Sequence, residues 1–95
     1  MFVTNQGAST TMHPGLHWAD ALRAVGMTQA EAARRLGVGA RHLNLIVRGH
    51  ALPSAALTIR FAELVNTSPR LLWRMRSDYV LDLALGVPDV TRDVV

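Results

Sequence analysis

Cysteine is absent from the 95 residues, which excludes a disulfide framework and a thiolate zinc site alike. Lysine is absent too, so all ten basic residues are arginine. No apolar run approaches the ~18–20 residues needed to cross a bilayer. The stretch Met1–Met12 is small and polar, without the basic-then-apolar order of a secretory signal. The expected location is therefore the cytoplasm, with no membrane contact. Period-two alternation, the mark of half-buried strands, is almost missing.

Catalytic constellations are also lacking. There is no nucleophile elbow or triad-like set, and no glycine loop that could cradle a phosphate. Asp78 and Asp82 share a helix face but have no second set of groups for acid–base work. They read as a solvated acidic face. His13 and His17, spaced i, i+4, are a conceivable metal pair, but no third ligand is evident. A cap and a partly exposed ring are the simpler reading. No catalytic residue, metal or cofactor is expected.

What remains is a chain that is 49% hydrophobic and 18% charged, hence globular, and sized for one core. Apolar residues recur at helical spacing between Gly, Pro and Ser/Thr punctuation, and the expected fold is all-α with five helices. The first spans about Pro14–Val25, with Leu16, Ala19, Leu22 and Ala24 or Val25 inward. The second starts at Thr28, where Thr28 and Glu31 form a capping box, and ends near Leu36. The third covers about Ala40–Arg48. The fourth is capped by Ser54 and stopped by Asn66. The fifth has Ser68 as cap and Pro69 at its first position, and runs to about Leu85. Residues 1–12 are expected to be a flexible tail, 13–85 the domain, and 86–95 a loose C-terminal tail.

Charge is unevenly spread. Residues 28–50 hold Arg34, Arg35, Arg41 and Arg48 against Glu31, whereas residues 78–95 hold Asp78, Asp82, Asp89 and Asp93 against Arg92. A basic middle beside an acidic end suits a polyanionic partner. Within residues 28–50 two short helices meet at a tight turn. Small Ala33 lets them cross closely, Gly37 can take positive φ, and Leu36, Val38, Leu43 and Ile46 point inward, joined by Val47.

Arg41, Asn44 and Arg48 then lie on the outer face of the third helix, with Ala40 at its start and Leu45 beside them. Arginine can bond bidentately to guanine, and asparagine to adenine, in a major groove. Bare Gly39 and Ala40 allow close backbone approach. Gln29 and its helix N-terminus suit a phosphate, as do Arg48 and His50. Leu45 fits either a thymine methyl or a protein contact. The expected partner is double-stranded DNA.

The stretch from His13 to about Leu85 resembles the HigA antitoxins, a branch of the phage-repressor-like (XRE) helix-turn-helix family. The resemblance is carried by His13-Pro14-Gly15, by the run Met27 to Val38, by Asn66-Thr67-Ser68-Pro69 with the following Leu71-Leu72-Trp73, and by Tyr79. Gly39 stands where that family usually has Ser or Thr, Arg48 where Asn is common, and Trp73 one position late. The resemblance implies a homodimer on a palindromic operator in its own promoter, repressing transcription and binding a HigB-type toxin, a small RNase. A free-standing repressor without a toxin is the alternative. The family's reading positions fall on Gly39, Ala40, Arg41, Asn44 and Leu45. A two-fold interface is expected from Trp73, Arg76, Tyr79, Val80 and Leu83, since the fifth helix is more apolar than one core stripe requires.

Overall fold

A computed structural model describes residues 10–94. They form α1 (Gly15–Ala24), α2 (Gln29–Leu36), α3 (Ala40–Val47), α4 (Ala55–Val65), α5 (Pro69–Ala84) and a 3₁₀ turn, Thr91–Asp93. Side-chain oxygens start three of the helices. Thr28 accepts from the Glu31 N–H at 3.1 Å, Ser54 from Leu57 at 3.1 Å, and Ser68 from Leu71 at 3.2 Å. Each satisfies a backbone donor that the helix leaves open, a contribution of about 1 kcal/mol. The capping box is only half built, because the Glu31 carboxylate pairs with Arg35 at 3.1 Å instead.

The core lies where α1, α3 and α4 meet. Trp18 and Phe61 stack with ring centroids 3.9 Å apart and planes 6° from parallel, over Leu43, Ile46, Leu57 and Leu72. The inner face of α1 differs from the expected one. Trp18 and Leu22 are buried, Leu16 and Ala19 only half so, and Ala24 and Val25 are exposed. A Cβ on Gly15 would stand 1.7 Å from the Ile46 carbonyl oxygen. That close approach of α1 to α3 turns the helix so that Trp18 faces inward.

The C-terminal segment is not the loose tail expected from its sequence. Thr11 and Asp89 form a parallel bridge, in which the Thr11 N–H donates to Pro88 O and the Val90 N–H to Thr11 O, both at 2.9 Å. The His13 N–H donates to Thr91 Oγ1 at 2.8 Å, and the Tyr79 hydroxyl to Asp89 Oδ2 at 2.5 Å. Thr91 also donates to Asp89 through its hydroxyl and its N–H. Residues 87–93 thus form a strap, clasped by the residues just before α1 and by α5. Thr11 is buried in it, so residues 11 and 12 do not belong to a free tail. Residues 1–9 of the expected flexible segment, and Val95, lie outside the described residues.

Candidate nucleic-acid interface

The turn between α2 and α3 sets the geometry. Gly37 adopts φ 72°, ψ 29°, a left-handed conformation that costs a glycine no steric strain. Its N–H donates to Arg34 O at 3.2 Å, and the Val38 N–H reaches back to Ala33 O at 3.0 Å. These bonds close α2 with the pattern of a Schellman motif. Ala33, Leu36, Leu43 and Ile46 are buried, and Val38 is half-buried against them. The inner residues of the two helices therefore hold α3 rigidly, at a fixed angle to α2.

The outer face of α3 carries Arg41, Asn44, Leu45 and Arg48 at i, i+3, i+4 and i+7 spacing. Arg41 and Arg48 are exposed, and neither has an ion-pair partner among the described residues. Gly39 and Ala40 are exposed at the start of α3, where no side chain caps the helix. The first-turn N–H groups there are left to an outside acceptor. Gln29, the first residue of α2, is exposed and accepts from Asn44 Nδ2 at 3.1 Å, which fixes the Asn44 amide beside the α2 N-terminus. His50 is exposed beyond α3, with its N–H on Leu45 O at 2.8 Å. Leu45 is half-buried rather than fully exposed.

Two cationic or polar side chains were not among the expected contacts. His42 is exposed on α3. Arg60 of α4 brings a guanidinium nitrogen to 4.0 Å from where a side chain on Gly37 would begin. Only the packing of α2 on α4 creates the second proximity, so no local pattern announces it.

The residues expected at a two-fold interface divide. Val80 and Leu83 are exposed. Arg76 is engaged within the protomer, where its Nε donates to Pro53 O at 2.9 Å and its guanidinium sits 4.6 Å over the half-buried Trp73 ring. Tyr79 is buried, bonded to Asp89 and edge-on to the His13 ring at 5.1 Å. It is part of the clasp and is not free to face a partner. The i, i+4 histidine pair does not converge either: His13 is buried, with Nδ1 accepting from the Gly15 N–H at 2.8 Å, while His17 is exposed. No group of three or more metal-ligating side chains occurs among the described residues, and no helix there is long and apolar enough to cross a membrane.

The helix-turn-helix family profile matches residues 19–72, more than half of the chain. Comparison with curated protein sequences returns no significant match. Among solved structures, the chain is similar to the Pseudomonas aeruginosa antitoxin HigA, solved with the higBA promoter, at 33% identity over 78% of this chain and 82% of that one, TM-score 0.72. It is similar to P. aeruginosa PA4674 in complex with its 28 bp operator DNA at 30% identity over 86% and 89%, TM-score 0.73. A Coxiella burnetii addiction module antidote protein of the HigA family shares the fold at TM-score 0.74, with 23% identity over 81% and 85%. With the turn, its buried core and these relatives in register, the chain belongs to the helix-turn-helix family, in the branch of the HigA antitoxins.

Proposed function

We propose that the protein is a dimeric, sequence-specific binder of double-stranded DNA that represses its own operon and serves as the antitoxin of a HigB-type RNase toxin. The observation that carries this reading is the outer face of α3. It presents an Arg41 without an ion-pair partner among the described residues and an Asn44 amide oriented by Gln29, on a helix whose start is bare enough to approach a groove. Both side chains are read against base edges, Arg41 on guanine O6 and N7 and Asn44 on adenine. Gln29 with the α2 N-terminus, together with Arg48 and His50, is assigned to phosphates, which fix register without reading sequence. Leu45, half-buried, is assigned to a thymine methyl at the edge of the contact. The protein acts by binding rather than by chemistry, and its place is the cytoplasm, where its DNA lies.

The relatives support this reading, since HigA and PA4674 of P. aeruginosa were solved with promoter or operator DNA. A dimer reading a palindrome would place its half-sites about one helical turn, ~34 Å, apart. Affinity capture of the tagged full chain from its native cells, with bound DNA and bound protein identified together, tests the whole proposal. A small RNase-like protein in stoichiometric amount with DNA from the chain's own promoter is the expected result. Promoter DNA without a protein partner would remove the antitoxin role and leave a free-standing repressor.

A further inference from the structure

Four parts of the chain that lie far apart in sequence meet at one side chain, His13. It stands just before α1 and is only 4% exposed. Its own N–H donates to Thr91 Oγ1 of the strap at 2.8 Å, and its ring lies edge-on to Tyr79 of α5. A Cβ on Gly49, just past α3, would meet the His13 Cβ and Cγ at 3.5 and 3.6 Å, as well as Thr91. The entry to α1, the strap, α5 and the end of α3 are thus stacked around this one residue.

Its neighbours hold the ring in one protonation state. Nδ1 accepts from the Gly15 N–H at 2.8 Å, so the proton of the neutral imidazole sits on Nε2. Nε2 is buried and has no hydrogen-bond partner among the described residues, although the Ala51 carbonyl pulls on the ring. An imidazolium carries hydrogens on both nitrogens. The second hydrogen would point at the Gly15 N–H, donor against donor. Gly15 cannot give way easily, because it is backed against the Ile46 carbonyl of α3.

The other charged groups around the ring do not remove this conflict. Asp89 of the strap attracts an imidazolium, but it already accepts from the Tyr79 hydroxyl and from Thr91. His50, beyond α3, opposes the charge. His17 and Asp20 of α1, with Asp78 and Asp82 of α5, border a cleft beside His13. The first three are exposed and Asp82 is half-buried, so water screens them from the ring. Burial above all lowers the His13 imidazole from its ordinary value of 6.5. The contribution of the neutral ring is therefore whole above that value and is lost as pH falls through the lower, folded-state one.

We propose that His13 is an acid-sensitive latch: protonating it drives the ring from its seat, unties the strap from the entry to α1 and frees the end of α3. The strap lets go with the ring because the His13 N–H is what holds Thr91. The last turn of α3 then loses its backing, since the ring and Thr91 both press on Gly49. Arg48 and His50 sit at that end, so in the DNA-binding reading the latch acts on the phosphate grip. The latch itself does not depend on that reading.

The test follows amide exchange and the His13 ring protons by NMR on the full chain, without DNA, from about pH 7.5 to 5.5. This range lies above the ordinary carboxylate values, so Asp89 stays ionised throughout. Protection factors, which discount the intrinsic pH dependence of exchange, should fall by up to about tenfold at the Thr11, His13, Gly49, His50 and Val90 amides. Those of Phe61 and Ala62 in the core should hold. His13→Asn keeps an acceptor for the Gly15 N–H but takes up no proton, and its protection should not change with pH. A chain with His17→Gln, His42→Gln and His50→Gln keeps His13 as its only histidine and should still lose protection in acid. It decides the matter even if His13→Asn does not fold. Strap amides that keep their protection at the acid end would overturn the proposal. Equal loss at the core amides would overturn it too, since that is global unfolding rather than a latch.

Discussion

Gln29 and Asn44 are fifteen residues apart in the chain yet share a hydrogen bond on the exposed face, so the Asn44 amide is oriented by the protein itself. Such orientation lowers the side-chain entropy lost on binding. The clasp is equally a matter of single groups. Asp89 is partly desolvated, which pushes its carboxyl up, but hydrogen bonds from Thr91 and Tyr79 outweigh this and hold it below the ordinary carboxylate value. Burial lowers the His13 imidazole, against the opposing pull of the Ala51 carbonyl and Asp89. Burial first, and donation to Asp89 second, raises the Tyr79 hydroxyl from 10.0 to about 12. A raised folded-state value means that the unfolded chain loses its proton first as pH climbs. The clasp's contribution is therefore whole below pH 10 and declines between 10 and 12. With no cysteine or lysine and a single tyrosine, almost nothing else titrates in that window. Unfolding free energy should fall there by about 1 kcal/mol per pH unit, and Tyr79→Phe should abolish the slope. An equal slope in the phenylalanine variant would remove the clasp from the account.

At the scale of elements, the starts and stops were legible in the sequence because each is a local bargain between a side chain and its own backbone. Thr28, Ser54 and Ser68 cap as their positions require, and Asn66 takes φ 59° at the end of α4. What needs distant partners was not legible. Apolar residues of α1 occupy so many positions that periodicity could not choose its phase, and only the meeting of Gly15 with Ile46 selects Trp18. The strap's sequence looks loose because its bonds join residues up to 78 apart and no short pattern encodes them. Of the nucleic-acid face, Arg41 and Asn44 follow from α3 alone, whereas Arg60 joins the turn only through packing. The strap also touches the end of α3: a Cβ on Gly49, at φ 84°, would meet Thr91 Cγ2 at 2.8 Å. Gly49→Ala would strain the backbone and push on the strap together, at a cost of about 1–3 kcal/mol. Hydrogen exchange should then speed up at the Thr11 and Val90 amides. Unchanged protection at both would show that the strap is not held through this contact.

For the molecule as a whole, the charge is unevenly laid out: arginines gather on α2 and α3, and aspartates toward the C-terminal end. In the proposed reading, a palindrome is bound only if a dimer sets two α3 helices at the spacing of its half-sites. Composition and charge lead only to the expectation of a polyanionic partner. Which α5 side chains the protomer itself engages did not follow from composition: Arg76 donates to Pro53 O and Tyr79 to Asp89. Quantitative footprinting on the chain's own promoter, with the natural protein and with Arg41→Ala, tests the central claim most directly. The natural protein should protect two half-sites about one helical turn apart. Arg41→Ala should bind them ~1–3 kcal/mol more weakly and lose preference at one base pair in each. Unchanged affinity and unchanged base preference in Arg41→Ala would contradict the placement of α3 in the groove.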